Sequence, residues 1–311
     1  MKIEHLEGLI AAPFTPMSKD GTINRPLIRN YYHFLKHNGI RGAFIIGSTV
    51  EGVSLTIQEK MEAMDEWASF SGTDPDFKVI PLVGGTCLAD AVELAKYARK
   101  AGLYAVSFTA PFYFKPSGME MLAQCCMEVA SAVPDMPFYY YHIPVLTGAN
   151  FLMYDLLQVL DGKIPNLAGI KYTHEDFMDF LSCLNFKNEK YDLLWGRDEN
   201  MLSALVLGAK GAIGSTFNYA APLYQQMIAT FEQGDLEKAR ALQLKSIDMI
   251  RLLGKYGGIA TGKAYMKLVN LDCGEFRLPV RNMDFRQFGE FRRDVEALKF
   301  DEFKSQTPHF V

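Results

Sequence analysis

The sequence has no apolar run that approaches the roughly 18 residues of a membrane span. Its first residues carry Glu4 and Glu7 and soon meet Pro13, so they also lack the uninterrupted apolar stretch of a signal peptide. These two absences predict a protein that does not enter a membrane and that works in the cytoplasm.

Basic residues are not in excess either. The formal net charge is −4, and no basic stripe stands out along the chain. Proteins that bind nucleic acid concentrate Lys and Arg on one face, so this charge balance argues against such a partner. Hydrophobic residues make up 49% of the chain and charged residues 22%, which suits a large globular core.

Cysteine is scarce and shows no metal-site spacing. The five cysteines are an odd number, and the histidines form no cluster with them. We therefore expect free, mostly buried thiols and no metal site. The five positions are Cys87, Cys125, Cys126, Cys183 and Cys273.

What the sequence does contain is a regular alternation of strand-like and helix-like stretches without a long linker. Eight repeats of a strand followed by a helix, each near 25 to 35 residues, predict an α/β fold, namely a (β/α)₈ TIM barrel. We expect residues 1–233 to form the barrel and residues 234–311 to form a C-terminal helical region packed on it. The predicted strands are Gly8–Phe14, Arg41–Ile46, Lys78–Val83, Tyr104–Phe108, one ending at Tyr141, one ending at Lys171, Leu193–Trp195 and Gly211–Gly214.

Two helix starts carry the pattern of a capping box, in which side chains satisfy the free N–H groups of the first turn. The first is Thr56–Glu59 and the second is Ser117–Glu120. Both predict that a helix begins directly after the leading hydroxyl residue.

The strongest chemical signal lies at the ends of two neighbouring strands. Lys171 closes an otherwise uncharged strand, and burial of its amine would leave a neutral nucleophile near pH 7. Tyr141 ends the preceding strand, so an amine and a phenol meet at one end of the barrel. This pairing favours carbonyl chemistry through an imine. The alternative is a lysine whose stem packs while its head reaches water.

Five blocks in order resemble the family of pyruvate-dependent Schiff-base aldolases that includes dihydrodipicolinate synthases and sialic acid lyases. The resemblance covers nearly the whole chain. The blocks are Gly47–Glu51, Pro111–Tyr113, Tyr141–Pro144, Gly169–Lys171 and Gly214–Thr216.

The resemblance implies roles for individual residues and needs no metal or organic cofactor. Lys171 would form the imine and Tyr141 would move the proton. Tyr113 would reach into a neighbouring subunit of a homotetramer. The residues that would bind substrate are Ser48, Thr49, Thr173, Gly196, Asp198, Glu199 and Ser215.

Simpler roles stay open for several of these positions. The Gly-Ser-Thr turn that contains Ser48 can cap its own backbone. Asp198 and Glu199 precede a helix, where acids also interact well with the helix dipole. Val50 stands where the family has glycine, and a positive φ there would not suit a branched residue. We expect His142 to be packed or hydrogen-bonded, pointing away from the Tyr141 side chain.

The run Tyr140–Gly148 is more similar to the sialic acid lyases than to the synthases. It carries Leu146 where synthases have an arginine that binds a second carboxylate; Arg197 is the other candidate for that charge. The resemblance therefore implies reversible cleavage of N-acetylneuraminate to N-acetylmannosamine and pyruvate. A dihydrodipicolinate synthase, a keto-deoxy sugar acid aldolase and a non-catalytic, ligand-sensing paralogue stay open as alternatives.

Overall fold

The computed structural model describes residues 2–308, and its centre is a barrel of eight parallel strands. The spatial order is β3-β2-β1-β8-β7-β6-β5-β4, and β3 and β4 close the ring through a parallel bridge between Leu82 and Ser107. The strands are β1 (Gly8–Ala11), β2 (Gly42–Ile45), β3 (Lys78–Pro81), β4 (Val106–Phe108), β5 (Phe138–His142), β6 (Leu167–Tyr172), β7 (Asp192–Trp195) and β8 (Gly211–Gly214).

Helices connect the strands and continue after the last one. Within residues 2–308, nine helices connect the strands or directly follow β8, and three more come after them. They are α1 (Arg25–His37), α2 (Ile57–Ser71), α3 (Leu88–Lys100), α4 (Met119–Ser131), α5 (Pro144–Thr147), α6 (Met153–Leu160), α7 (Phe177–Leu184), α8 (Met201–Leu207), α9 (Phe217–Glu232), α10 (Leu236–Lys255), α11 (Ala260–Leu268) and α12 (Phe285–Ala297). The predicted TIM barrel is confirmed.

Two apolar cores result from the alternation of side chains along each strand. A small core fills the inside of the barrel and includes Phe44 and Tyr141. A larger one lies between the strands and the surrounding helices and includes Tyr140 and Tyr172. Tyr141 therefore points into the barrel, whereas its neighbours on β5 point outward. This alternation decides which residues can reach a site inside the barrel mouth.

The two predicted capping boxes have different outcomes. At α2, the Thr56 side chain accepts from the Glu59 N–H and the Glu59 carboxylate accepts from the Thr56 N–H, so that prediction is confirmed. At α4 the prediction is wrong. The helix begins at Met119, its N-cap is Gly118 in an extended conformation, and no side chain caps it. Ser117 lies one residue too far from the first turn to do so.

The region after the barrel is helical, as expected. Helix α10 packs along α9, and a short 3₁₀ turn (Phe300–Glu302) follows α12. The domain boundary at residue 233 stays a prediction, and residues 309–311 of the predicted C-terminal region lie outside the described part. Within residues 2–308, no helix is long and apolar enough to cross a membrane.

Candidate active site

The lysine and the tyrosine singled out in the sequence lie side by side. Strands β5 and β6 pair in parallel with Tyr141 opposite Lys171. The Lys171 Nζ lies 4.1 Å from the centre of the Tyr141 ring and 3.8 Å from the centre of the Phe44 ring. The amine is thus held between two aromatic faces at the carboxyl ends of the strands, the usual position of an active site in this fold.

Burial favours the neutral form of the Lys171 amine. Lys171 is 5% exposed. Removal from water disfavours the ammonium form and lowers the pKa of Lys171 to about 7, while the nearby carboxylate of Asp198 acts in the opposite direction. The neutral amine, which is the form that attacks a carbonyl, is therefore accessible near pH 7.

The Tyr141 hydroxyl stays protonated at the same pH. Burial raises the pKa of Tyr141 to about 12, and the adjacent hydroxyls of Ser48 and Thr173 offset part of that rise. The Thr173 Oγ1 is buried and makes no well-formed hydrogen bond within residues 2–308. These three hydroxyls form a polar group beside the amine that can donate to or accept from a bound keto acid.

Asp198 is buried at the start of a 3₁₀ turn (Asp198–Asn200) that precedes α8. Its Oδ2 accepts from the Thr216 backbone N–H at 2.9 Å and from the Thr216 hydroxyl at 2.6 Å. Burial raises the pKa of Asp198 to about 7, and the Thr216 hydrogen bonds and Lys171 offset part of that shift. A Cβ at Gly214 would lie 2.2 Å from the Asp198 Oδ1, so glycine is required there to make room for the carboxylate.

Glu199 belongs to a charged triad at the rim. The Arg197 guanidinium lies 2.7 Å from the Glu199 Oε1 and 3.0 Å from the Glu175 Oε1. Arg197 was the alternative source of a positive charge for a second substrate carboxylate. Because it already contacts two carboxylates, it is not a free cation in this structure.

One cavity of about 250 Å³ joins these groups. Eight of the ten predicted site residues line it: Thr49, Tyr141, Lys171, Thr173, Gly196, Asp198, Glu199 and Ser215. Ser48 lies just outside the lining, next to the Tyr141 hydroxyl. The roles of all these residues stay predictions.

Tyr113 is the predicted site residue that does not join the cavity of its own chain. It is 77% exposed and packs edge-on against Phe114 with a ring distance of 5.2 Å. Leu146 is also exposed and lies outside the cavity lining, so it forms no wall of the site within one chain. His142 is buried against Tyr172 on the outer face of β5, as its position after Tyr141 predicts.

Val50 does not disturb the loop after β2. The left-handed backbone positions fall on Ile46 (φ 60°) and Glu51 (φ 55°) instead. Val50 itself is fully buried, and its carbonyl accepts from the Thr15 hydroxyl at 2.6 Å. The doubt about the loop geometry rested on a positive φ at Val50, and Val50 does not adopt one.

Several residues of the cavity were not predicted. Phe44 contacts the amine, Thr216 holds Asp198, and Ile250 and Leu253 of α10 line the cavity. The apolar face of α10 was readable from the sequence, but nothing local tells which part of the barrel it covers. Among residues 2–308, no group of three or more His, Cys, Asp or Glu side chains could hold a metal ion.

A (β/α)₈ barrel with a cavity at the carboxyl ends of its strands, lined by a buried lysine amine and a tyrosine, has the architecture of a barrel enzyme. The chain belongs to the dihydrodipicolinate synthetase family, whose pattern it matches over residues 5–298.

The chain is also similar to individual proteins of known sequence or structure. The chain is 40% identical to the N-acetylneuraminate lyase of Rattus norvegicus over 94% of this chain and 91% of that one. It is 38% identical to the Homo sapiens N-acetylneuraminate lyase over 96% and 95% of the two chains. The structure of the Proteus mirabilis N-acetylneuraminate lyase matches with a TM-score of 0.92 and 37% identity, covering 96% of this chain and 100% of that chain.

Proposed function

We propose that this protein is a carbon–carbon lyase that reversibly cleaves N-acetylneuraminate to N-acetylmannosamine and pyruvate through a Schiff base. The observation that carries the proposal is the buried Lys171 amine, with its pKa lowered to about 7, next to Tyr141. The named relatives support the choice of sugar acid.

The proposed chemistry begins with attack of the neutral Lys171 amine on the ketone of the open-chain sugar acid. Loss of water gives an imine whose protonated form accepts the electron pair when the carbon–carbon bond breaks. Tyr141 would relay the proton from the C4 hydroxyl, assisted by the substrate's own carboxylate. Protonation of the resulting enamine and hydrolysis of the imine release pyruvate and restore the free amine.

The remaining cavity residues would bind different parts of the substrate. Ser48 and Thr49, at the end of β2, would hold the carboxylate next to the imine through hydroxyl and backbone N–H groups. Thr173, Asp198, Glu199, Ser215 and the backbone at Gly196 would bind the polyhydroxyl tail, for which carboxylate and hydroxyl acceptors are suited.

We further propose a cytoplasmic homotetramer in which Tyr113 completes the site of a neighbouring subunit. Two observations support this. The five cysteines are free thiols, which fits a reducing compartment. Tyr113, Phe114 and Val145 are exposed apolar side chains close to the barrel mouth, and such groups usually become covered in an assembly.

A substrate panel tests the proposal. Pyruvate release should be rapid from N-acetylneuraminate and slower from shorter keto-deoxy sugar acids, measured by a coupled assay. Condensation of pyruvate with aspartate semialdehyde should be weak, because Arg197, the candidate cation for its carboxylate, already contacts two acids. Preference for the semialdehyde would move the assignment to the synthases. An absence of turnover with every substrate would favour a sensing protein.

A further inference from the structure

The loop that follows β2 is held by a buried ion pair with a distant part of the chain. The Lys263 Nζ, on α11, lies 2.7 Å from the Glu51 Oε1, and both side chains are 2% exposed. Among the ion pairs of residues 2–308, this is the one whose partners are both almost completely shielded from water. Neither residue lines the cavity, and neither takes part in the proposed chemistry.

Both carboxylate oxygens of Glu51 accept hydrogen bonds. Its Oε2 accepts from the Arg277 backbone N–H at 3.1 Å, and Lys263 also donates to the Glu275 carbonyl at 3.1 Å. The Arg277 guanidinium in turn donates to the carbonyls of Gly21 and Ser54 and contacts Glu59 of α2. The loop is thus fixed between the beginning of α2 and the segment that follows α11.

The same residue is tied to the proposed carboxylate site through its backbone. The Glu51 N–H donates to the Ser48 carbonyl at 3.3 Å, and the next N–H, of Gly52, donates to the Gly47 carbonyl at 3.0 Å. Glu51 itself adopts a left-handed conformation (φ 55°, ψ 27°), which is unfavourable for a residue with a side chain. The carboxylate of this left-handed residue is the group that Lys263 and the Arg277 N–H contact in the interior.

Burial of two charges is costly, and an apolar pair of similar size often stabilises a fold as well or better. Burial lowers the pKa of Lys263, while the Glu51 carboxylate favours its charged form. Apolar contacts have no preferred direction. The hydrogen-bonded ion pair does, so it can constrain the direction of the chain at residues 48–51.

We propose that Glu51 and Lys263 are positioning residues that set the geometry of the Ser48–Thr49 loop for the carboxylate of the keto acid. The inference rests on the proposed function, because it requires that this loop binds the carboxylate. The C-terminal helices would then contribute to pyruvate recognition through α11.

The test compares two variants with a matched control. Glu51→Gln keeps the shape of the side chain and removes its charge. The double variant Glu51→Gln/Lys263→Met removes both charges and so leaves no unpaired charge in the interior. The control, Lys255→Met/Asp294→Asn, removes a partly exposed lysine–carboxylate pair between α10 and α12 that lies outside the cavity lining.

The main readout is the pyruvate concentration that gives half-maximal borohydride trapping on Lys171 in the full-length protein. We expect it to rise about tenfold in both Glu51 variants, the loss that follows when one charge-assisted hydrogen bond to the carboxylate is misaligned. The control should behave like wild type. The pH midpoint of trapping at saturating pyruvate, and the ratio of kcat/KM for long and short sugar acids, should stay unchanged.

The inference is overturned if the Glu51 variants keep wild-type half-saturation. If their trapping yield also falls, the pair only maintains folded protein. If wild type itself traps no pyruvate on Lys171, the proposed function fails and this inference fails with it. If wild type traps pyruvate and the variants match it, only the positioning role is rejected.

Discussion

At the scale of single residues, the proposed chemistry depends on the environment of Lys171. The amine lies between the rings of Phe44 and Tyr141 and near Asp198. Burial lowers its pKa, and the Asp198 carboxylate raises it. Because the pKa of Asp198 is also raised to about 7, the two groups titrate over the same range and influence each other.

This environment predicts the pH dependence of imine formation. The pKa of Lys171 is lowered to about 7, so the neutral amine, and with it the rate of borohydride trapping with pyruvate, should rise as pH increases through about 7. Asp198→Asn removes the negative charge that favours the ammonium form. The pH at which the trapping rate is half-maximal should therefore be lower in Asp198→Asn than in wild type. A plot of trapping rate against pH measures it.

Glu199→Gln is the matched control for that prediction, because its carboxylate contacts Arg197 and not the amine. Its midpoint should stay closer to that of wild type. A midpoint that moves upward in Asp198→Asn would show that the carboxylate does not stabilise the charged amine. An adduct on another lysine would remove Lys171 from the mechanism altogether.

Tyr141 should be tested by removing only its hydroxyl. Tyr141→Phe keeps the ring that packs against Phe44 and Lys171, so the fold should persist. Turnover should fall by roughly 10²- to 10⁴-fold, the usual range for general acid–base catalysis. Steady-state kinetics together with far-UV circular dichroism check this. Turnover near that of wild type would assign the proton transfer to another group.

At the scale of elements, the starts of α2 and α4 show how local sequence patterns succeed or fail. Both have a hydroxyl residue followed three positions later by glutamate, but only Thr56 makes the reciprocal bonds with Glu59. At α4 the chain passes through Gly118 in an extended conformation before the helix begins. The pattern is identical, and the position of the first helical residue decides the outcome.

This contrast gives a paired stability prediction. Thr56→Ala should lower the free energy of unfolding by about 1 kcal/mol, because the Glu59 N–H loses its acceptor. Ser117→Ala should change it by no more than about 0.5 kcal/mol, as for a surface position without a specific contact. Chemical denaturation followed by fluorescence measures both. An equal loss in the two variants would show that Ser117 caps α4 in solution.

At the scale of the whole molecule, the barrel mouth carries apolar side chains that one chain leaves uncovered. Tyr113 and Phe114 follow β4, and Val145 and Leu146 lie in α5. The two segments are neighbours, since a Cβ at Gly148 would lie 2.4 Å from the Lys115 Nζ. The exposed groups therefore lie on two segments that approach each other at the same end of the barrel.

We expect this surface to be covered in a homotetramer. Light scattering should give the mass of an oligomer for wild type, and Phe114→Asp should lower it by placing a charge in the contact. Turnover should fall in parallel if Tyr113 completes a neighbouring site. A charge-introducing control on another exposed apolar residue, Phe285→Asp, should leave mass and turnover unchanged. A fully active monomer would exclude the shared site.

The sequence by itself determined the barrel and predicted most of the residues that meet in the candidate cavity. Alternating strand and helix patterns are local, so they predicted the order of elements, and Lys171 and Tyr141 stood out because an amine and a phenol closed apolar strands. In a parallel barrel all strand ends of one kind meet at one mouth, which is why motifs far apart in the chain could be placed together.

Only the tertiary structure decided the remaining contacts. The Glu51–Lys263 pair joins residues 212 positions apart, and α10 contributes Ile250 and Leu253 to the cavity. The tertiary structure also shows that Leu146 lies outside the cavity lining. In the loop after β2, the left-handed residues are Ile46 and Glu51 rather than Val50. Such contacts depend on how whole elements pack against one another, and no pattern of neighbouring residues encodes that packing.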